Sequence, residues 1–144
     1  MQVHQILKTK QDTEVVSVPR GTLVKKAAEI LTKRRIGTVV VSDDGIGIAG
    51  ILSERDIVRA LAQKGAGCLL SDVDMFMTKN VQTCALSDSG DAVLTRMTLG
   101  RFRHMPVMQD ASLVGLVTIG DVVKSRLSEL AMENQALEGM IKGF

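Results

Sequence analysis

Aromatic residues are almost absent from this chain of 144 residues, which has no Trp, no Tyr and three Phe. Stacking platforms for single-stranded nucleic acid are therefore effectively missing. Hydrophobic residues still make up 45% of the sequence, so one globular body can form around an aliphatic, Met-rich core. The net charge of +2 is too small by itself to indicate a nucleic-acid or membrane partner.

Cysteine and histidine are also scarce, with two of each. Cys68 and Cys84 lack metal-ligand spacing and have no neighbouring His in sequence, so neither a zinc site nor a thiol nucleophile is indicated. Paired catalytic carboxylates and a Walker-type loop are not recognisable. We therefore expect no metal, no catalytic residue, no catalytic cofactor and no enzymatic activity.

Targeting signals are not visible either, since the sequence shows no signal-peptide pattern and no apolar run long enough to cross a bilayer. Free thiols are the simplest interpretation of the two cysteines. These features predict a cytoplasmic protein without a membrane partner. Lys33-Arg34-Arg35 is a basic cluster, and a helix C-terminus explains it better than a nucleic-acid contact.

One nine-residue pattern occurs twice, at residues 50–58 and 115–123: a glycine, two aliphatics, a hydroxyl residue, two variable residues, an Asp and further aliphatics. A hydroxyl residue before an amphipathic run is a typical helix N-cap, and the Asp occupies the capping-box position. The same geometry suits a ligand, because a helix N-terminus attracts phosphate and a carboxylate accepts bonds from two sugar hydroxyls. A single copy favours capping, whereas the duplication favours a binding cleft. The hydroxyl and carboxylate residues are Ser53, Asp56, Thr118 and Asp121.

Hydrophobic periodicity predicts the same order of elements twice, at a spacing of about 65 residues: strand, helix, strand, strand, helix. The predicted strands are 15–18, 36–41, 48–52, 81–84, 104–108 and 113–117. The predicted helices are 1–10, 53–62, 71–77 and 88–99, together with one helix capped by Thr22 and a last helix that runs from Asp121 onward. We expect 1–68 to hold an N-terminal segment and the first repeat, 69–128 the second repeat, and 129–144 a helical extension.

The last helix continues past the second repeat with apolar residues at alternating four- and three-residue steps. These residues are Val123, Leu127, Leu130, Leu137 and Ile141, with Asn134 in the same series. Two interpretations remain open: a coiled-coil-like seam with one polar position, or an amphipathic helix folded back on its own body.

The repeats resemble the cystathionine-β-synthase (CBS) domain family, and the tandem pair is similar to a stand-alone Bateman module. Segments 35–41 and 50–57 carry the resemblance in the first half, and segments 102–107 and 115–123 carry it in the second. The resemblance implies an α/β (α+β) fold of two β-α-β-β-α repeats, packed with pseudo-two-fold symmetry and leaving two clefts. It also implies an adenosyl ligand such as AMP, ADP, ATP, NAD(H) or S-adenosylmethionine, and a homodimer formed through the repeats.

The resemblance assigns roles to individual residues. The ribose contacts would be Ser53, Asp56, Thr118 and Asp121. The phosphate contacts would be Arg55, Arg103 and His104. The base pocket would be formed by Ile36, Gly37, Met77, Thr78, Val81, Met105 and Pro106. Helix capping for the Asp residues, solvated surface positions for the Arg residues, a structural role for His104 and ordinary core for the aliphatics are the competing interpretations.

The sequence therefore predicts a regulatory module that senses an adenine nucleotide and modulates a protein partner that it does not identify. The alternative is a ligand-independent dimerisation or interaction module. Nucleic-acid binding is a weaker hypothesis, because no helix-turn-helix or zinc pattern is present.

Overall fold

Helices and strands follow the predicted order closely in the computed structural model, which describes residues 1–10 and 14–143. In chain order they are α1 (Val3–Thr9), β1 (Ser17–Val18), α2 (Val24–Arg34), β2 (Thr38–Val41), β3 (Gly50–Ser53), α3 (Glu54–Lys64), α4 (Gly90–Gly100), β4 (His104–Gln109), β5 (Ser112–Thr118) and α5 (Ile119–Lys142). The two repeats of the α/β fold are recognisable in this order, and α5 supplies the predicted C-terminal extension.

The described residues form two compact units. The first-repeat unit consists of residues 14–82 and the tip of the β4–β5 hairpin, 108–114. The second-repeat unit consists of residues 1–10, 83–107 and 115–143, so α1 packs with the second repeat rather than with the first.

A three-stranded sheet forms the centre of the first-repeat unit. β2 pairs in parallel with β1 and antiparallel with β3, and this register sets Thr38 opposite Ser53. All four residues of β2 are buried, which suits its β-branched sequence. The fully or nearly buried core is Val18, Val24, Ala27, Leu31, Val39, Val41, Leu52, Ile57 and Val73.

The second-repeat unit is built on the β4–β5 hairpin, against which the helices bury their apolar faces. The predicted helix over 1–10 is confirmed as α1. Its start is fixed by backbone bonds from Val3 N to Asp88 O (2.8 Å) and from His4 N to Leu86 O (3.0 Å). The core of this unit is Val3, Ile6, Cys84, Val93, Met97, Met105, Val107, Val117 and Val122.

Three local predictions are wrong. Residues 81–84 form no strand, because only Cys84 reaches a neighbouring strand, in a single bridge to Val107. Residues 71–77 form no single helix; they contain only a short 3₁₀ helix at Val73–Met75, and another at Ala66–Leu70 precedes them. Thr22 does not cap α2, because its hydroxyl donates to Pro19 O at 2.7 Å within the preceding turn.

The helix α5 keeps its apolar seam on the outside. Val122 and Ser125 face the second-repeat unit, whereas the seam side chains remain 40–84% exposed. These exposed residues are Val123, Leu127, Leu130, Leu137 and Ile141. Among the described residues, the seam therefore has no packing partner that would bury it, and a helix folded back on its own body does not describe it.

Candidate functional site

The repeated hydroxyl-Asp pattern forms a capping box at the start of α3. Ser53 Oγ accepts a hydrogen bond from Asp56 N at 3.2 Å, and Asp56 Oδ2 accepts from Ser53 N at 2.9 Å. The Ser53 hydroxyl also lies 3.1 Å from the same carboxylate oxygen. The other oxygen, Asp56 Oδ1, contacts Arg59 Nη1 at 3.4 Å. Both oxygens of this carboxylate are thus engaged, and its side chain is only 7% exposed.

Thr38 adds a polar group that the sequence did not single out. It is 3% exposed and lies opposite Ser53 across the β2–β3 ladder. Its hydroxyl oxygen has no hydrogen-bond partner among the described residues. Leaving a buried hydroxyl unpaired costs about 1–3 kcal/mol, so this position is suited to a polar group supplied from outside the chain.

The segment before the second repeat borders the same cap. Thr78 pairs with Ile51, with Thr78 N donating to Ile51 O at 2.8 Å and Ile51 N donating to Thr78 O at 3.0 Å. Gly50 makes this approach possible, because an added β-carbon would lie 2.7 Å from Thr78 O. Gly37 O accepts from Glu54 N at 2.9 Å and joins the loop before β2 to the start of α3.

The second capping box, at the start of α5, repeats the first. Thr118 Oγ1 accepts from Asp121 N at 3.1 Å, and Asp121 Oδ2 accepts from Thr118 N at 2.9 Å. Lys10 Nζ also lies 2.9 Å from Asp121 Oδ2 and donates to Leu116 O at 2.9 Å. Asp121 Oδ1 has no hydrogen-bond partner among the described residues, and the side chain is 21% exposed. This carboxylate therefore offers a free oxygen that Asp56 does not.

A cavity of about 310 Å³ lies beside Asp121, between the end of α1 and the first turns of α5. Its lining is Met1, Ile6, Thr9, Lys10, Asp121, Lys124, Ser125 and Ser128. Lysine side chains and hydroxyl groups thus surround one carboxylate, and the mixture suits a polar ligand with hydroxyl and anionic groups.

The structure separates the predicted site residues into two groups, one in each unit. The first-repeat unit holds Ser53, Asp56, Arg55, Ile36, Gly37, Met77, Thr78 and Val81. The second-repeat unit holds Thr118, Asp121, Arg103, His104, Met105 and Pro106. Within each group, the hydroxyl-Asp pair lies at a helix N-terminus, as the sequence predicts.

The predicted phosphate contacts lie near the two capping boxes. Arg55 is exposed in the first turn of α3, and Arg103 is exposed at the turn before β4. Arg103 O accepts from Ile119 N at 2.8 Å, as Gly37 O accepts from Glu54 N, so both loops reach the same point of their repeats. His104 is half-buried at the first position of β4.

The predicted base-pocket residues differ in exposure. Ile36, Gly37, Met77 and Val81 are half-buried and Thr78 is exposed. Met105 is fully buried in the core of the second-repeat unit, and Pro106 is buried beside it. The roles of these residues toward a ligand stay predictions.

The cysteines lie in hydrophobic surroundings. Cys68 is 2% exposed and Cys84 is 4% exposed, and neither forms a disulfide. Burial, together with a smaller effect of the nearby Asp88 carboxylate, raises the pKa of the Cys84 thiol to about 11. The Cys84 thiol therefore stays protonated near neutral pH, which does not suit a nucleophile. No helix in the described part of the chain combines the length and apolarity needed to cross a membrane.

Comparisons with known proteins agree with these features. The family model "CBS domain" matches twice, at residues 6–63 and 70–128. Among curated proteins, the chain is 32% identical over 124 residues to the CBS domain-containing protein CBSX3, mitochondrial, of Arabidopsis thaliana, covering 83% of this chain and 60% of that protein. It spans about a quarter of the length of other plant relatives. Because CBSX3 is named as mitochondrial, the cytoplasmic location stays a prediction.

Solved structures show the same fold. The CBS-domain containing protein ATU1752 from Agrobacterium tumefaciens is 40% identical with a TM-score of 0.83, covering 88% of this chain and 99% of that one. The protein PAE2072 from Pyrobaculum aerophilum, solved in complex with AMP, is 26% identical with a TM-score of 0.76, covering 92% and 99%. The CBS pair of protein MJ0100, solved with 5'-methylthioadenosine and S-adenosylmethionine, is 26% identical with a TM-score of 0.78, covering 90% and 98%.

Proposed function

Because this chain belongs to the CBS domain family, we propose that it is a regulatory module that binds an adenosine-containing ligand and modulates a protein partner. The observation that carries the proposal is the pair of capping boxes, Ser53/Asp56 and Thr118/Asp121, each of which sets a carboxylate at a helix N-terminus. Relatives of similar fold were solved with AMP, 5'-methylthioadenosine or S-adenosylmethionine, which supports an adenosyl ligand here.

The geometry suits a nucleoside for electrostatic and hydrogen-bonding reasons. A carboxylate with an unused oxygen accepts hydrogen bonds from the adjacent hydroxyls of a ribose. The free N–H groups and the positive dipole end of α5 favour an anionic group nearby. Asp121 Oδ1 is unpaired among the described residues, so we assign Asp121 as the main ribose contact and Asp56 as the weaker one.

The remaining contacts follow the same assignment. We propose that the loops before β2 and β4 supply phosphate and base contacts around each cap. In the first-repeat unit, the orphan hydroxyl of Thr38 joins Ser53 as a candidate polar contact. The phosphate candidates are Arg55, Arg103 and His104, and the base candidates are Ile36, Gly37, Met77, Thr78, Val81, Met105 and Pro106.

Regulation requires that the ligand bind one conformation better than another. A ligand held at the start of α5 contacts the helix that carries the exposed seam, and ligand binding can thereby alter the surface presented to a partner. The identity of that partner is a matter for affinity capture with and without the ligand.

Isothermal titration with AMP, ATP, NADH and S-adenosylmethionine tests the proposal. We expect saturable binding of at least one ligand to the wild type, a large loss in Asp121→Ala and a smaller loss in Asp56→Ala. Each substitution also removes the carboxylate half of a capping box and costs about 0.5–2 kcal/mol of stability, so urea denaturation must show that both variants remain folded. Absence of binding by all four ligands would contradict the proposal.

A ligand-independent dimerisation module is the second candidate, and the exposed seam of α5 favours it. Six residues at four- and three-residue steps, including Asn134, match a short coiled-coil interface with one polar layer. The two functions are distinguished by sedimentation velocity with and without AMP. A dimer that is insensitive to every ligand, in a protein that binds none of them, would favour this candidate.

A further inference from the structure

The cavity beside Asp121 is lined by one face of α5. Asp121, Lys124, Ser125 and Ser128 follow the i, i+3, i+4, i+7 spacing that aligns side chains on one side of a helix. Across the cavity lie Thr9 and Lys10 at the end of α1. The polar groups of the lining are thus drawn from two elements that meet at the carboxylate of Asp121.

The charge of this lining is positive. Lys10 is paired with Asp121 at 2.9 Å, which leaves Lys124 as a cation without an ion-pair partner among the described residues. The hydroxyl group of Ser128 is a hydrogen-bond donor one helical turn from Lys124. The Ser125 hydroxyl, in a residue that is 9% exposed, donates to Met1 Sδ at 3.1 Å, and a phosphate oxygen is a stronger acceptor that would replace the sulfur. An ammonium group together with hydroxyl donors is a typical environment for phosphate.

The equivalent face of α3 has a different composition. The residues at the matching positions after Asp56 are Arg59, Ala60 and Gln63. Arg59 contacts Asp56 itself, and no hydroxyl side chain is present at these positions. Matching residues such as Arg35 and Arg101 are 66 positions apart in the sequence. The residue 66 positions after Lys10 is Phe76, which packs against the hydrophobic core of the first-repeat unit. Among the described residues, the second-repeat unit therefore has at this face a lysine without an ion-pair partner beside hydroxyl side chains, whereas the first-repeat unit has an arginine paired with its own Asp and no hydroxyl.

We propose that the cavity beside Asp121 is a phosphate subsite, and that it makes the second-repeat unit select adenosine ligands that carry phosphate. The inference rests on the proposed function and deepens it by naming the ligand class. The ribose hydroxyls bind Asp121, and the phosphate lies between Lys124, Ser125 and Ser128, which replace Arg103 and His104 as the phosphate contacts of this unit. Nucleotides such as AMP are then preferred over the uncharged 5'-methylthioadenosine and over S-adenosylmethionine, whose sulfonium cation would face Lys124.

Binding also changes the role of Lys10. A ligand hydroxyl that approaches Asp121 competes with the Lys10 ammonium group for the carboxylate. Once freed, Lys10 is close enough to the cavity to bind the phosphate, since it is part of the lining. The phosphate of a phosphorylated ligand gives Lys10 a new anionic partner in place of Asp121, whereas an uncharged nucleoside leaves the lysine unpaired.

The test compares AMP with 5'-methylthioadenosine on variants in an Asp56→Ala background, so that the second-repeat unit dominates the signal. Lys124→Met removes the cation and leaves the Thr118/Asp121 box intact. Lys142→Met removes the same charge at the far end of α5, outside the cavity, and serves as the matched control. Each protein is titrated at low and at high salt.

We expect Lys124→Met to weaken AMP binding about tenfold, the effect of losing one charge-assisted contact. Binding of 5'-methylthioadenosine should change by less than about twofold, and salt should weaken AMP more than the uncharged ligand. Equal effects of Lys124→Met and Lys142→Met, or equal affinity of the parent for both ligands, would overturn the inference alone. Binding of neither ligand to the wild type would overturn the proposed function and this inference with it.

Discussion

Arg35 and Arg101 occupy matching positions in the two repeats, and both end a helix in the left-handed conformation with a φ of 55°. The next residue in each case completes the helix end, with Ile36 N donating to Leu31 O at 3.1 Å and Phe102 N donating to Met97 O at 3.2 Å. Glycine is the usual residue at such a position, because a β-carbon disfavours this conformation.

Glycine substitution at these two positions should stabilise the protein. Arg35→Gly and Arg101→Gly relieve the left-handed backbone, and we expect each to raise the free energy of unfolding by about 0.5–1 kcal/mol after the entropic cost of glycine. The control is Lys33→Gly in the last turn of α2, which should lower stability by about 1 kcal/mol. Urea denaturation measures all three, and a loss of stability in both Arg variants would contradict the argument.

Alanine at the two matched glycines should have unequal effects. A β-carbon on Gly50 would lie 2.7 Å from Thr78 O, a backbone atom, whereas one on Gly115 would lie 2.9 Å from Leu7 Cδ1, the end of a flexible side chain. We expect Gly50→Ala to cost about 2–3 kcal/mol and Gly115→Ala about 1 kcal/mol or less. Thermal or urea unfolding measures the stability of the two variants. A larger loss of stability in Gly115→Ala than in Gly50→Ala would contradict the prediction.

Stability should depend on the Cys84 thiol at alkaline pH. The pKa of this thiol is raised to about 11 in the folded protein by burial, so the folded state retains a proton that the unfolded state releases. The contribution of this thiol to the free energy of unfolding is fully present below about pH 9. It is lost as pH rises through about 11, and the total loss is about 2–3 kcal/mol.

Cys84→Val provides the comparison, since Val18 occupies the matching buried position of the first repeat. We expect wild type to lose stability relative to Cys84→Val between pH 9 and 11, and the difference to be constant from pH 6 to 8. Parallel pH profiles across the whole range would show that the thiol does not titrate differently on folding.

The seam of α5 should control self-association. Leu130 lies in the middle of the seam and is 40% exposed, and Leu130→Asp introduces a charge that a dimer interface would have to bury. We expect sedimentation equilibrium to show the wild type as a dimer and this variant as a monomer, whereas a homodimer formed through the repeats would survive the substitution. Gln135→Asp adds the same charge next to the seam series and should leave the dimer intact; equal behaviour of the two variants would argue against the seam.

Local sequence signals predicted most of the fold. Ser53 and Thr118 mark the starts of α3 and α5, because an N-cap acts on residues three positions away and is visible in the sequence. The prediction of a strand at residues 81–84 is wrong because β-propensity does not show whether a partner strand is available. In the structure, Thr83 O accepts a hydrogen bond from Arg96 Nη2 at 2.8 Å.

The candidate site was predictable only in part, for the same reason. The hydroxyl-Asp pairs are local, whereas the ion pair of Lys10 with Asp121 joins residues more than a hundred positions apart. Thr38 appears in the sequence as one polar residue in a β-branched strand. That its hydroxyl is buried, unpaired and opposite Ser53 can be seen only in the folded structure.

The packing of α1 on the second-repeat unit has a consequence for the order in which the chain acquires its structure. Val3 and Ile6 are buried in one core cluster with Val93 and Val122, which are synthesised much later than α1. The core of residues 14–82 closes through contacts nearer in sequence, and it is available for folding while the C-terminal half is still on the ribosome. The apolar face of α1 is therefore buried only after the second repeat has been synthesised, and it stays exposed in the nascent chain until then.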